Sequence, residues 1–269
     1  MNNITLNNGI KMPIIGSGTN TFGKVANEFK GALRGDTAEV DMAVENGYRH
    51  FDSAQAYNNE EVLGKGLEDS GLQREEFFIT TKLNTFAGFH GLDWVKSGIE
   101  KSLKKLKTDY IDLFLIHAPW DNSIEMVETW ALLEDYYKDG IFKSIGVSSF
   151  KEKHLDLILE NCKVKPAVNQ IESNVARWND ELIAYNQDNG IDIVAWSPVK
   201  GVTDSSREVL ERIGNKYGKT YTQVILRYQI EHNVVVIPKS HSKNHQAQNL
   251  DIFDFKLSDQ DREQIADLG

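Results

Sequence analysis

Gly47-Tyr48-Arg49-His50-Phe51-Asp52-Ser53-Ala54-Gln55-Ala56-Tyr57-Asn58-Asn59-Glu60-Glu61-Val62-Leu63-Gly64 is the stretch around which the chain is organised. It reads as a short strand, a loop and the opening of a helix. The aromatic residues between Tyr48 and Phe51 suit a pleated strand. Asn58 or Asn59 can cap the following helix, and Glu60 and Glu61 suit its positive N-terminus. Asp52 then ends the strand and Tyr57 lies just beyond it. A carboxylate ending an apolar strand needs a partner or water. Taken alone, the stretch is equally well a loop with a capping Asp and a packed Tyr.

The segments on either side repeat the pattern. Ahead of it, 4–12 reads as a hairpin about the Asn8-Gly9 turn. A first core strand is expected at 14–19, then an irregular glycine-bearing loop over 20–35 and a helix, capped by Asp36, to about 46. Behind the strand at 48–54, helix 59–70 leads to strand 77–83. Helix 92–106 places Leu92, Val95, Ile99, Leu103 and Leu106 on one face. Strand 110–117, helix 123–139, strand 142–148, helix 150–161, strand 167–172, helix 179–189 and strand 191–196 follow. Helices at about 206–217 and 220–231, a last strand at 234–237 and a helical tail complete the chain.

Several of these strands are nearly continuous apolar runs, as in a parallel sheet buried on both faces. Eight strand-then-helix units in 269 residues predict a (β/α)8 barrel, with an N-terminal hairpin and a short helical C-terminal tail. No Ser- or Pro-rich linker interrupts the series, so 1–269 reads as one domain. A doubly wound sheet would carry G-x-G-x-x-G after its first strand. Gly16 and Gly18 are present, but position 21 is Thr. The run from Gly18 to Val25 nearly spells a phosphate-binding loop, but Val25 stands where the metal-binding Ser or Thr belongs.

A net charge of −10 without a block of one sign argues against a nucleic-acid partner. Cys162 is the only cysteine, which excludes a disulfide within the chain and fits a reducing cytoplasm. The N-terminus lacks the pattern of a signal peptide, and no run reaches the roughly 18 apolar residues of a membrane helix. A monomer is expected, since no exposed apolar stripe is evident.

Barrel enzymes carry their chemistry at the C-terminal strand ends. Polar residues collect there: Asp52 with Tyr57, Lys82, His117, Ser148 and Ser149, Asn169 and Gln170, Trp196 and Ser197, Lys239 and Ser240. Each alone has an ordinary structural explanation, but together they form a chemistry. A Lys ammonium beside Tyr57 favours the phenolate, lowering a pKa ordinarily of about 10. Asp52 would hold that lysine, and His117 would meet a reacting oxygen. This set protonates an alkoxide as it forms. No metal site is expected.

With these motifs, the chain resembles the aldo-keto reductases along essentially its whole length, the short bacterial 2,5-diketo-gluconate reductase type most of all. The first signature is 47–64, the second Gly146-Val147-Ser148-Ser149-Phe150, the third Ile237-Pro238-Lys239-Ser240. Lys82-Leu83, Leu115-Ile116-His117, Val168-Asn169-Gln170 and Trp196-Ser197-Pro198 lie between them. The resemblance implies an NAD(P)H-dependent reductase of aldehydes and ketones. Tyr57 would donate the proton, supported by Lys82 and Asp52, with His117 orienting the carbonyl. Ser148, Ser149, Asn169 and Gln170 would hold the nicotinamide carboxamide and Trp196 would stack on its ring. Thr19, Asn20, Ser197, Pro198 and Val199 would line the cofactor's path. Lys239, Ser240 and His245 would meet the adenosine phosphate, and Gln248 and Asn249 the adenine.

Departures from the family's pattern shape further expectations. Ser149 stands where Asn is usual. His245 replaces an Arg whose fixed charged fork reads the phosphate of NADPH, so NADPH should be preferred with NADH tolerated. Asn20, Asn84 and Ala118 occupy positions that are commonly aromatic, with Phe22, Phe86 and Trp120 nearby to refill the space. A roomier, more polar pocket for small polar or dicarbonyl substrates follows, left open by a chain that stops at Gly269. A nucleotide-binding regulatory subunit of the same fold is the alternative. A sugar-processing barrel would need a second carboxylate across the cleft, and only Asp52 stands at a strand end.

Overall fold

In the computed structural model, residues 2–269 are described; Met1, where the expected domain begins, lies outside the described residues. Strands β1 (Asn3–Thr5) and β2 (Lys11–Pro13) form the hairpin. The remaining strands are β3 (Ser17–Gly18), β4 (His50–Asp52), β5 (Phe78–Leu83), β6 (Leu113–Ile116), β7 (Ile145–Ser148), β8 (Val168–Glu172), β9 (Asp192–Trp196) and β10 (Val234–Val236). They pair in parallel and in chain order. The ring closes where Gly16 N donates to Val236 O at 2.9 Å and Val236 N to Ile14 O at 3.1 Å. The chain therefore folds as a (β/α)8 barrel.

The helices are α1 (Ala38–Asn46), α2 (Glu60–Asp69), α3 (Leu92–Leu106), α4 (Ser123–Lys138), α5 (Glu152–Asn161), α6 (Asp180–Asp188), α7 (Asp204–Tyr217), α8 (Tyr221–Glu231), α9 (Lys243–Leu250) and α10 (Asp259–Ala266). The core lies between them and the strands. Val95, Ile99 and Leu106 of α3 are buried against it, as the helical spacing predicts. Gly64, which ends the first signature, lets α2 cross α3 closely. A Cβ there would stand 2.3 Å from the Lys105 carbonyl oxygen.

The hairpin covers the end of the barrel away from the strand C-termini. Asn7 Nδ2 donates to the Pro166 and Gly190 carbonyls, and Asn8 Nδ2 to that of Lys143, just ahead of β8, β9 and β7. The strand C-termini lie at the opposite end.

Two local expectations change. Asn59 sits at the N-cap of α2 but makes no side-chain cap bond. Its amide instead donates to the carbonyls of Thr19 at 2.6 Å and Phe22 at 3.1 Å, tying the loop after β3 to the first signature. Its Oδ1, the atom that would accept a cap bond, has no hydrogen-bond partner among the described residues. The first core strand is also shorter than 14–19. Only Ser17–Gly18 are laddered to β4, because Gly16 turns its amide to the seam.

Candidate active site

Asp52, Lys82 and His117 come from three adjacent strand ends, β4 to β6, and Tyr57 from the turn after β4. The Lys82 ammonium donates to Asp52 Oδ1 at 2.6 Å and to the Ser53 carbonyl at 2.8 Å, and lies 3.5 Å from the Tyr57 hydroxyl. Lys82 and Asp52 are almost wholly buried. Asp52 Oδ2 accepts from Gln170 Nε2 at 2.7 Å. Tyr57 meets the His117 ring edge-on, with centroids 5.6 Å apart.

Burial opposes the charge on Lys82, but Asp52 and Tyr57 more than offset it and hold its pKa above the usual value. The expected lowering at Tyr57 is corrected. Burial pushes its pKa above 10.0 and Asp52 adds to the rise, so the pull of Lys82 does not win. Tyr57 therefore keeps its proton at neutral pH, as a proton donor must. His117 is driven down to about 3 by burial, with the Lys82 charge adding to the effect. It is a neutral imidazole, able to donate to a carbonyl without carrying a full charge.

Asp52, Tyr57 and His117 line a cavity of about 490 Å³ at the barrel mouth, with Lys82 buried behind them. Of the residues expected to meet a cofactor, Thr19, Asn20, Ser148, Ser149, Gln170, Trp196, Ser197, Pro198, Val199 and Lys239 line it. The donor set fits a reduced nicotinamide dinucleotide. Two hydroxyls and an amide face one end, Trp196 offers a ring, and Lys239 a cation. Gly18 leaves the wall shallow beside that lysine, since a Cβ there would lie 3.0 Å from the Ile237 carbonyl.

Other expected residues lie elsewhere. Asn169 is fully buried and turns away from the cavity. Its amide donates to the Phe150 carbonyl and the Asn186 side chain. Adjacent strand residues point to opposite faces, so Gln170 faces inward and Asn169 cannot. Ser240, His245, Gln248 and Asn249 are outside the cavity lining. His245 and Gln248 are exposed on α9, Asn249 is buried, and the Ser240 hydroxyl is engaged with the Ser242 backbone.

The substrate side is also rearranged. Phe22 is buried, packed edge-on against His241. Trp120 stacks on Phe89 with its Nε1 directed to Glu125. Asn84 caps the turn that follows it, its Oδ1 accepting from Phe86 N, and neither Asn84 nor Ala118 lines the cavity. Phe86 does line it, edge-on to His117 at 4.8 Å. Phe29 is the counterpart that sequence reasoning missed, 5.8 Å from the Tyr57 ring. Lys200 was missed too; it lines the rim and pairs with Glu172 at 3.5 Å. The signal for Phe29 was a large apolar residue in a loop without period. Lys24, in the near-phosphate-loop run, donates to the Phe29 carbonyl and so holds that loop.

Comparison with known proteins agrees with this geometry. A family model described as the Aldo/keto reductase family matches residues 14–269. A glyoxal reductase of Bacillus subtilis is 41% identical over 99% of this chain and 92% of its own. The crystal structure of an aldo/keto reductase from Brucella melitensis superposes with a TM-score of 0.90 at 36% identity, covering 100% of this chain and 99% of that one. The Bombyx mori aldo-keto reductase AKR2E4 in complex with NADP gives 0.88 at 34% identity, covering 99% and 92%. The matched span takes in every strand of the barrel and all four residues gathered around Tyr57, so the chain belongs to the aldo/keto reductase family.

Proposed function

We propose that the protein reduces aldehydes and ketones with NADPH, tolerates NADH, and favours small polar or dicarbonyl substrates. The approach of the Tyr57 hydroxyl to the buried Lys82–Asp52 pair, beside a neutral His117, carries this reading. The NADP complex of the silkworm relative and the glyoxal reductase from Bacillus support the cofactor and the substrate class.

When bound, the reduced nicotinamide supplies the hydride that the carbonyl carbon accepts. His117 donates a hydrogen bond to the carbonyl oxygen and fixes its direction toward Tyr57. As negative charge develops on that oxygen, Tyr57 gives up its proton. The Lys82 ammonium stabilises the phenolate left behind, and Asp52 keeps that ammonium in place. Ser148, Ser149 and Gln170 would hold the carboxamide, Trp196 would lie against the ring, and Lys239 would meet the adenosine phosphate. Phe29 and Phe86 flank the substrate's approach.

A cytoplasmic monomer of one domain, without a nucleic-acid partner, belongs to the same reading. The charge of −10 supports the last point. Among the described residues no helix is long and apolar enough to cross a membrane.

The test follows loss of reduced-nicotinamide absorbance with NADPH and with NADH, against dicarbonyls, sugars, keto acids and aromatic aldehydes. Turnover in the wild type that falls about a hundredfold or more in Tyr57→Phe is expected, the range for losing a general acid. Tight cofactor binding with no turnover on any substrate would support the regulatory alternative.

A further inference from the structure

Lys239 faces the cavity, and its ammonium has one hydrogen-bond partner among the described residues, the Thr21 hydroxyl at 3.0 Å. A lysine can only donate, so Thr21 accepts from it and has its own proton to give. The next atom along is His241 Nε2, 2.9 Å from that hydroxyl. The other ring nitrogen, Nδ1, stands 3.0 Å from Glu39 Oε1. With Nδ1 carrying the imidazole proton, every link has one donor and one acceptor, running from Lys239 through Thr21 and His241 to Glu39. Glu39 is already satisfied by Arg34, 2.8 Å from both its oxygens, and by the Gly23 amide at 3.1 Å. Thr21 and Glu39 are buried, and the His241 ring is braced edge-on by Phe22 at 5.7 Å.

The arrangement separates a cation from the nearest acid along the chain. Were Glu39 to bind Lys239 directly, the lysine's charge would be met within the protein. With Thr21 and His241 between them, Lys239 is held by a neutral hydroxyl, and Glu39 is compensated by Arg34.

We propose that His241, acting through Thr21, is a positioning residue for Lys239. It keeps the ammonium at the cavity wall without neutralising it, ready for the phosphate that distinguishes NADPH from NADH. The chain thereby supplies part of the discrimination left open by a histidine at position 245. The inference rests on the cofactor reading proposed above.

The test is equilibrium binding of NADPH and of NADH to the resting protein, read by quenching of tryptophan fluorescence, without turnover. Thr21→Val removes the hydroxyl at nearly constant volume, and His241→Phe keeps a ring against Phe22. Both are expected to weaken NADPH roughly fivefold to tenfold, about 1 to 1.4 kcal/mol, while NADH changes by less than about twofold. Thr21→Ser should retain wild-type discrimination. Equal weakening of both cofactors would mark a merely structural role and overturn the inference. So would unchanged NADPH binding in Thr21→Val when Lys239→Met has lost it, which would leave the cofactor reading standing. Unchanged NADPH binding in Lys239→Met would overturn the inference together with the phosphate contact given to Lys239, whereas failure of the wild type to bind NADPH at all would overturn the cofactor reading itself. Should His241→Phe fail to fold, Thr21→Val and Thr21→Ser decide the matter.

Discussion

Gln170 and Asp52, 118 residues apart, share a hydrogen bond of 2.7 Å from Nε2 to Oδ2. With Lys82 on Oδ1, both oxygens of the aspartate are committed. A residue read from the sequence as a cofactor contact is therefore also a support of the proton-donating set. Gln170→Leu strands a buried carboxylate oxygen, at a cost of about 1–3 kcal/mol. A lower melting temperature together with a lower kcat is expected. Loss of cofactor affinity alone would show that the bond to Asp52 is dispensable.

Asp52→Asn leaves the Lys82 ammonium buried without its counter-charge. Breaking such a pair costs on the order of 3–5 kcal/mol. Denaturant unfolding should recover much of that loss in Asp52→Asn/Lys82→Met, which removes both charges. Activity should stay lost in the double variant, because the phenolate of Tyr57 has nothing to stabilise it. Recovery of turnover would contradict the role given to Lys82.

Two histidines are held neutral in the folded protein. Burial lowers both His117 and His50 to about 3, with Lys82 adding to each and a backbone bond opposing it at His50. Their ordinary value of about 6.5 applies to the unfolded chain. Between those values the unfolded state binds more protons, so stability falls as the pH falls through this window. Above about pH 6.5 these groups give no slope. Melting temperatures from pH 7 down to 4 should decline, and His50→Gln, which can still bond to Thr80, should flatten the decline by about one proton's worth. An unchanged slope in that variant would place the acid lability elsewhere.

Phe29 and Phe86 are both largely exposed while lying against Tyr57 and His117. A substrate entering between them would bury their faces. Phe29→Ala and Phe86→Ala should each raise KM for aromatic aldehydes several-fold, from a loss of about 0.5–1.5 kcal/mol in ring contact. The change for small dicarbonyls should be less. Equal changes for both classes would mean that the rings shape the mouth without touching substrate.

Ser149 adopts φ 61°, a left-handed conformation. Asn tolerates that conformation better than Ser, and Gly tolerates it without a side-chain clash. Ser149→Gly and Ser149→Asn should both raise stability, by about 0.5–1 kcal/mol. Only Ser149→Asn should also tighten NADPH, since it alone restores a side chain with longer reach. Weaker binding in Ser149→Asn would argue that the shorter hydroxyl is already well placed.

Much of this was legible because the alternation of apolar runs and amphipathic helices sets the barrel, and the barrel sets where strand ends lie. Asp52, Lys82, His117 and Gln170 follow from that one geometric fact. The substrate side did not, because it is built from loops, where no period fixes direction. Phe22, expected at the pocket, is core, and Phe29, seven residues on and given no role from the sequence, lines the mouth. Asn169 was misplaced for a different reason, since strand alternation forbids it and Gln170 from facing the same side. Within the first signature, Glu60 accepts from Thr81 at 2.7 Å and Gly64 spaces two helices, so both serve packing.

The seam between β3 and β10 has a consequence for how the protein comes into being. Asp52, Tyr57, Lys82 and His117 all lie in the first half of the chain, but Lys239 follows the strand that shuts the ring. The reactive quartet and the berth for a dinucleotide are thus drawn from opposite ends of the chain, and the shut ring is what brings Lys239 beside them. A ligand spanning from Ser148 to Lys239 would act as a clasp on that seam, favouring the shut ring by mass action. Added NADPH should then slow proteolysis near residues 14–18 and 234–239 more than at the hairpin, so that the last step of folding and the first step of binding share one gate.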